Sequence, residues 1–336
     1  MVTLAEVARH AGVSLSTVSY VLSGKRSISE STRARVQHSI RALGYYPHAG
    51  ARALASNRSS IIALVMPLRG DMYVPVLMEI VTAVATTARE HDHDVLLLTN
   101  DEGPTGLLRV ARSGLADALL LMDVELHDER VPVLLELDSP SVLIGFPEAP
   151  SGLTCVDLDF QAAARVSVRE LAAAGHRTIA LLGPPERVYE RETGFAQRTV
   201  AGFVAEAELC DVEPVRVPLE TGYGAAAAGA AKLVAERPDI TGFVVQNEVV
   251  ASMLPDVLRD AGRRLPREDA VVAICPDRVA EQTTPRLTSV SIPAEEMGRN
   301  AVELVMAKLR GETVAEETLL PPQLTVRETT MSTSTP

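Results

Sequence analysis

Residues 3–22, Thr3-Leu4-Ala5-Glu6-Val7-Ala8-Arg9-His10-Ala11-Gly12-Val13-Ser14-Leu15-Ser16-Thr17-Val18-Ser19-Tyr20-Val21-Leu22, read as two short helices broken by a tight Gly-Val turn. Leu4, Val7, Ala8 and Ala11 recur at helical spacing, and Gly12 supplies the stop. Ser14 suits the N-cap of the second helix, whose apolar stripe Val18, Val21 and Leu22 leaves Leu15, Ser16, Ser19 and Tyr20 on other faces. A third helix is predicted from Ser29 as cap to Leu43, with Val36, Ile40 and Leu43 inward and Gly44 as its end. Two short helices and a longer support form the helix-turn-helix layout, in which the start of the second helix reaches base edges in the major groove. Spacing alone also fits a three-helix cap whose basic face is merely solvated.

Charge is distributed to match the first reading. The 336 residues carry a net charge of -12, an average that points away from a polyanion partner. Residues 1–60, however, hold eight Lys/Arg (Arg9, Lys25, Arg26, Arg33, Arg35, Arg41, Arg52, Arg58) against Glu6 and Glu30, a net +6, which leaves -18 on the remainder. A basic head on an acidic body restricts nucleic-acid contact to the head. Residues 45–59 are rich in Ala and Arg, lie between Pro47 and Ser56-Asn57, and are too short for a stable isolated helix. A plain linker would not require an apolar Leu54. A helix formed only on DNA could wedge it between base steps of the minor groove.

The head resembles the LacI/GalR transcriptional regulators. The match rests on Val2-Thr3-Leu4-Ala5-Glu6-Val7-Ala8, Ala11-Gly12-Val13-Ser14, Ser16-Thr17-Val18-Ser19, Val21-Leu22-Ser23-Gly24, and Tyr45-Tyr46-Pro47 through Ala51-Arg52-Ala53-Leu54. It is nearly gapless over about 58 residues, and it displaces the solvated-cap alternative. The resemblance implies that Leu15, Ser16 and Tyr20 read bases, while Thr3, Ser14, Thr17, Ser19, Ser29 and Thr32 hold phosphates. It also implies that Ala51 and Leu54 pry open a central step of a palindromic double-stranded operator. Position 20 is usually Arg in the family and is Tyr20 here, and His48 replaces the usual Asn, so the common half-site letters are not expected.

From residue 61 short apolar runs alternate with amphipathic stretches. Ile61–Met66, Val95–Leu98, Ala118–Leu121 and Val142–Ile144 are predicted as parallel strands, with helices at about 74–91, 104–114 and 128–137. A second series follows: helix 161–174, strand 178–182, helix 195–209, strand 215–217, helix 223–236, strand 241–245, helix 249–262, strand 270–274, strand Leu287–Ser291, helix 295–310 and extended pieces near 318–327. This predicts an all-α helix-turn-helix head plus hinge helix, then an α/β core of two doubly wound lobes, periplasmic-binding-protein-like, with the chain crossing back near its C-terminus. The expected divisions are 1–47 for the head, 48–59 for the hinge, 60–330 for the two-lobed effector and dimerisation domain, and 331–336 for a disordered tail. Ligands of such folds sit in the cleft, at the carboxyl ends of strands.

The same family match continues through His93-Asp94-Val95-Leu96-Leu97-Leu98-Thr99-Asn100, Asp117-Ala118-Leu119-Leu120-Leu121, Ala174-Gly175-His176-Arg177-Thr178-Ile179-Ala180, Gln246-Asn247-Glu248, Thr284-Pro285-Arg286-Leu287-Thr288-Ser289-Val290 and Glu296-Met297-Gly298-Arg299. It implies a small-molecule effector bound between the lobes of a homodimer, by family default a neutral sugar with a phosphosugar or purine as the alternative, acting as inducer or corepressor of what is expected to be a repressor. The implied contacts are Asn247, followed by Glu248 where the family has Asp; Asp277, after a small shift that otherwise places Cys275 there; and Phe160, where Asn is usual. Arg198 is a further one, although it precedes Gly202 by four residues and the family's effector Arg precedes that Gly by three. Asp71 and Tyr73 lie in the loop Arg69-Gly70-Asp71-Met72-Tyr73, which replaces the usual Asn-Pro-Phe. Two bland readings stay open: Asn247 as a helix cap only, and Arg198 as a partner of Glu192.

Other classes find little support. No run approaches 18 apolar residues, so no membrane span is expected. The N-terminus lacks a basic n-region and a long h-region, and Cys155, Cys210 and Cys275 are scattered, so a cytoplasmic protein without a signal peptide or disulfides is expected. A solute-binding protein for transport would need that leader and no head. An enzyme would need a catalytic constellation, and Gly222-Tyr223-Gly224 with Gly229 has the wrong spacing for a dinucleotide loop. His91 and His93 are a weak metal pair; no cofactor, metal or catalytic residue is expected.

Overall fold

The computed structural model describes residues 2–23, 26–45 and 59–330. The hinge segment, with His48, Ala51 and Leu54, and the tail 331–336 lie outside the described residues. The head is three helices, α1 (Leu4–Ala11), α2 (Leu15–Ser23) and α3 (Glu30–Leu43). A capping box starts α1: Glu6 N–H donates to Thr3 Oγ1 at 3.3 Å, and Thr3 N–H donates to Glu6 Oε2 at 2.7 Å. Gly12 ends it with φ +64, a left-handed turn that a Cβ would strain. Val7, Ala8, Ala11, Val18, Val36 and Tyr45 are the buried centre, with Val21, Leu22, Ile40 and Leu43 packed on it.

The body holds two six-stranded sheets. The first runs β11-β5-β4-β3-β1-β2, from β1 (Ile61–Val65), β2 (Asp94–Leu98), β3 (Ala118–Leu121), β4 (Ser141–Ile144), β5 (Thr154–Leu158) and β11 (Glu317–Leu320). The second runs β12-β10-β9-β8-β6-β7, from β6 (Thr178–Gly183), β7 (Glu213–Pro218), β8 (Gly242–Val245), β9 (Ala270–Ile274), β10 (Thr288–Val290) and β12 (Leu324–Thr325). Every pairing is parallel except β10 with β12. Both faces of each sheet are therefore covered by helices, which is why the strands read as apolar runs rather than alternations.

Two expectations change. Thr154–Leu158 is a strand that periodicity did not predict, because Thr154 and Asp157 break its apolar run. The chain also crosses between lobes three times: from β5 into helix Phe160–Ala173, from β10 into helix Ala294–Leu309, and from β11 to β12. Helix Ala294–Leu309 returns to the first lobe and shares its core through Met297, Ala301, Val302 and Val305.

Beyond the crossings, the lobes are held together directly. Leu126 N–H donates to Glu192 O and Gly194 N–H to Val124 O, both at 2.8 Å. Gly194 opens helix Gly194–Leu209 so close to the first lobe that a Cβ would lie 2.6 Å from Phe146 O. Arg278 pairs with Glu79 across the same divide.

Candidate functional sites

In the head, the positions expected to meet DNA cluster at helix starts. Ser14, Ser16 and Thr17 hydroxyls share hydrogen bonds of 2.9 and 2.8 Å at the start of α2, and Ser29 donates to Thr32 Oγ1 at 2.9 Å at the start of α3. Backbone N–H groups and the positive end of the helix dipole accompany these hydroxyls, a setting suited to a phosphate. Thr3 differs, since its hydroxyl is engaged by Glu6 in the capping box. Leu15 is 51% exposed, Ser19 and Tyr20 are half-buried, and the Arg26 guanidinium lies 5.8 Å from the Tyr20 ring centre. Arg9, Arg33, Arg35 and Arg41 are exposed and form no ion pair among the described residues.

The second site is a cavity of about 160 Å³ between the lobes. It gathers loops from the carboxyl ends of strands in both sheets, where an open α/β sheet leaves room for a ligand. From the first lobe come Asp71, Tyr73, Met122, Asp123, Ile144 and Asp157; from the second come Arg191, Phe195, Gln246, Asn247 and Glu248. Phe160, at the first crossing, stacks at a tilt on Phe195 with ring centres 5.7 Å apart.

Four of the six effector positions read from the sequence thus line this cavity: Asp71, Tyr73, Phe160 and Asn247. Asn247 is also a structural cap. Its Oδ1 accepts from Val250 N–H at 3.2 Å, and its Nδ2 donates to Leu219 O at 3.0 Å, so both ends of the amide are already engaged.

Arg198 and Asp277 do not line the cavity. Arg198 donates to Pro147 O at 2.7 Å and lies over the Phe146 ring, tying helix Gly194–Leu209 to the loop after β4. One residue of helical offset turns a side chain by about 100°, and the four-residue spacing to Gly202 has that consequence. The Glu192 alternative for Arg198 is not seen; Glu192 contacts His127 instead. Asp277 Oδ1 accepts from Arg327 Nη2 at 2.9 Å, which holds it in the second lobe.

Sequence reasoning missed Arg191, Asp157, Gln246 and Phe195. Asp157 had a signal, a carboxylate between the apolar Val156 and Leu158; Arg191 sits in an Arg/Glu-rich stretch where no single charge stands out. Arg191 joins the lobes: its Nη1 donates to Asp71 Oδ2 at 2.6 Å, and Arg187 approaches the same oxygen at 3.2 Å. Burial acts to raise the Asp71 carboxyl, but the hydrogen bond and charge of Arg191, with Arg187 beyond, outweigh it and hold it below the usual carboxylate range.

The Asp71→Asn variant should lose about 1–3 kcal/mol of lobe closure, toward the low end because both arginines reach solvent. Small-angle scattering should show a larger radius of gyration, and acidification through the depressed Asp71 range should reproduce the effect in the wild type. An unchanged radius would remove this pair from lobe closure.

Among the described residues no group of three His, Cys, Asp or Glu could hold a metal ion, and no helix is long and apolar enough to cross a membrane. His91 and His93 are held locally, by Glu303 at 2.9 Å and by the His91 carbonyl at 2.7 Å.

A three-helix DNA-reading head joined to a two-lobed, ligand-binding body defines a DNA-binding transcription regulator rather than an enzyme. The chain belongs to the LacI family: residues 3–48 match the bacterial regulatory proteins of the lacI family, and residues 168–330 match the periplasmic binding protein-like domain. Among its relatives is the HTH-type transcriptional regulator CelR of Thermobifida fusca, 30% identical over 97% of this chain and 97% of that protein. A transcriptional regulator CelR–cellobiose complex is similar in structure, with TM-score 0.69 and 27% identity over 98% of this chain and 100% of the other. The fold is also that of the Lac repressor dimer bound to operator and the anti-inducer ONPF, with TM-score 0.85 and 22% identity over 98% and 99% of the two chains.

Proposed function

We propose that the protein is a repressor whose operator affinity is set by a sugar bound between the lobes. The observation that carries this reading is the cavity itself, which gathers aromatic faces and hydrogen-bond acceptors from both lobes behind a basic head. The similarity to the structure of a CelR–cellobiose complex supports a sugar. Rings such as Phe160 and Phe195 suit the apolar face of a pyranose, and carboxylates suit its hydroxyls. A phosphorylated sugar fits poorly: among the described residues Arg191 is the one cationic side chain lining the cavity, and Asp71 already engages its Nη1.

The protein acts as a homodimer in the cytoplasm, where its DNA is, placing two heads on two half-sites of a palindrome about one helical turn apart. A dimer clamped there blocks passage of polymerase, hence repression. Residues 1–47 read DNA, with Leu15, Ser16 and Tyr20 toward bases and Thr3, Ser14, Thr17, Ser19, Ser29 and Thr32 toward phosphates. Residues 48–59 form the hinge, with His48, Ala51 and Leu54 at the minor groove, and residues 60–330 bind effector and dimerise. Asp71, Tyr73, Phe160 and Asn247 contact the effector.

The test is operator binding, on a site selected from random DNA, with and without a panel of neutral and phosphorylated sugars. At least one neutral sugar should shift operator affinity by roughly 5–150-fold, the usual range of allosteric coupling of about 1–3 kcal/mol. An affinity that no sugar moves, or that only a phosphorylated one moves, would sink the neutral-sugar reading.

A further inference from the structure

The helix that the head offers to the major groove carries no charge. The polar residues of α2 are all serine, threonine or tyrosine, and no acid or base stands in its first or last turn. Ser16 and Tyr20 are four residues apart and so share one face, with the exposed Leu15 beside them and Val18 turned into the core. A hydroxyl donates one hydrogen bond and accepts as readily, so it distinguishes base edges weakly. Nothing on α2 can present two parallel donors, the group that matches guanine O6 and N7.

Such a group reaches this face from outside the helix. The Arg26 guanidinium carbon lies over the Tyr20 ring, 5.8 Å from its centre, within the range of a cation–π contact. Arg26 is exposed and forms no ion pair among the described residues. Of the two acids in the head, Glu6 is engaged by Thr3 and Glu30 forms no ion pair. A guanidinium that meets a ring through its flat face keeps the N–H donors of its edge free. Tyr20 is half-buried, so the packing of the head holds the ring that carries this cation.

Its placement separates two uses of an arginine on DNA, holding a phosphate and reading a base. A phosphate contact asks only for charge near the backbone, and the hydroxyls suited to one are at the start of α3, where Ser29 and Thr32 are 2.9 Å apart. Arg26 precedes Ser29 by three residues, yet its guanidinium is set against α2 instead. An oriented, planar donor on the reading face suits the two-acceptor edge of guanine.

We propose that Arg26 reads a guanine in each half-site, donating to O6 and N7, and that Tyr20 is the positioning residue that carries it into the groove. The proposal rests on the reading of the head as the DNA-binding part. Site selection from random DNA with the full-length protein, followed by affinity measurements on the selected site, tests it. The wild type should select a guanine in each half-site at a position where Arg26→Ala accepts any base. On that site Arg26→Ala should bind about 10-fold or more weakly, a difference of about 1.4 kcal/mol. Arg26 is exposed, so the variant should melt with the wild type.

Replacing that guanine with 7-deazaguanine, which lacks the N7 acceptor and keeps its base pairing, should weaken the wild type by about 10-fold and leave Arg26→Ala unaffected. Tyr20→Leu should shrink the 7-deazaguanine effect with Arg26 still present, which the loss of a separate Tyr20 contact would not do. A loss in Arg26→Ala that is equal on every sequence marks a phosphate contact and overturns the proposal. A 7-deazaguanine effect of the same size with and without Arg26 overturns it as well. The same effect undiminished in Tyr20→Leu removes Tyr20 from the mechanism. A wild type that selects no site at all counts against the DNA-reading head itself.

Discussion

A protein cut ahead of Ser59 should fold, keep its two-lobed body and lose DNA binding altogether. The head has its own buried centre around Val7, Val18 and Val36, separate from the clusters that fill the lobes. The cut also keeps the junction, where Asp117 accepts from Ser59 N–H at 2.6 Å and from Ser60 N–H at 2.8 Å. What departs is the entire +6 of the first sixty residues, and a body of net -18 remains. Such a body repels the phosphate backbone, so even the ordinary non-specific affinity of roughly 10⁻⁴–10⁻⁶ M should be absent. The intact protein should show the reverse: affinity that falls steeply with salt, by roughly 10³–10⁵ between about 50 and about 200 mM if it neutralises about 6–10 phosphates. Electrophoretic mobility shift and salt titration check both halves. Micromolar DNA binding by the shortened chain would show that the body touches DNA.

Gly202→Val should damage the second lobe severely. Helices Gly194–Leu209 and Phe160–Ala173 cross at this glycine, and a Cβ there would lie 2.1 Å from Gln161 O and 2.8 Å from Gln161 C. Both atoms are backbone, so no side chain can swing away and the helix itself must shift. Overpacking of this kind costs about 1–3 kcal/mol and at rigid sites more, against about 1 kcal/mol gained by removing a helical glycine. A net cost of about 2 kcal/mol lowers the melting temperature by roughly 4–8 °C in a domain of this size. The two helices forced apart carry Phe195 and Phe160, which line the cavity, so effector binding should weaken together with stability. Gly222→Ala is the control, since a Cβ there meets nothing within 4 Å. A Gly202→Val protein that melts like the control would show that the helices separate freely at this crossing.

The head was readable almost residue by residue. Its caps Thr3, Ser29 and Gly44 are local devices: a hydroxyl serving the N–H groups of the next turn, or a glycine taking a left-handed turn, works with neighbours three or four residues away. The predicted and observed helices accordingly agree within a residue or so. Most strands of the lobes were readable for a related reason, since burial on both faces leaves continuous apolar runs such as Ile61–Val65 and Ala270–Ile274. Thr154–Leu158 escaped because Asp157 serves the cleft rather than the core, and a polar residue inside a strand hides the strand's pattern.

The cleft was readable only in part. Asp71, Tyr73, Phe160 and Asn247 line it, but Arg198 and Asp277 are turned to other partners. A helix position is fixed in sequence, whereas the direction of its side chain depends on rotation about the helix axis and on which distant group captures it. Arg191 illustrates the converse: its partner Asp71 is 120 residues away in the other lobe, and nothing local marks either as half of a pair.

By itself, then, the sequence determined the basic head, the helix-turn-helix spacing, the acidic α/β body and the family, because each rests on short-range pattern or on summed charge. Tertiary structure alone decided which carboxylates are neutralised. Three crossings of the chain bring the two lobes together and give Asp71 its arginine partners, Asp123 finds Arg69 within the first lobe, and among the described residues the buried Asp157 and the half-buried Glu248 form no ion pair. A carboxylate is the same residue in all four places; its charge state follows from the solvent excluded around it and the cation brought within reach, and both are set by contacts between distant parts of the chain.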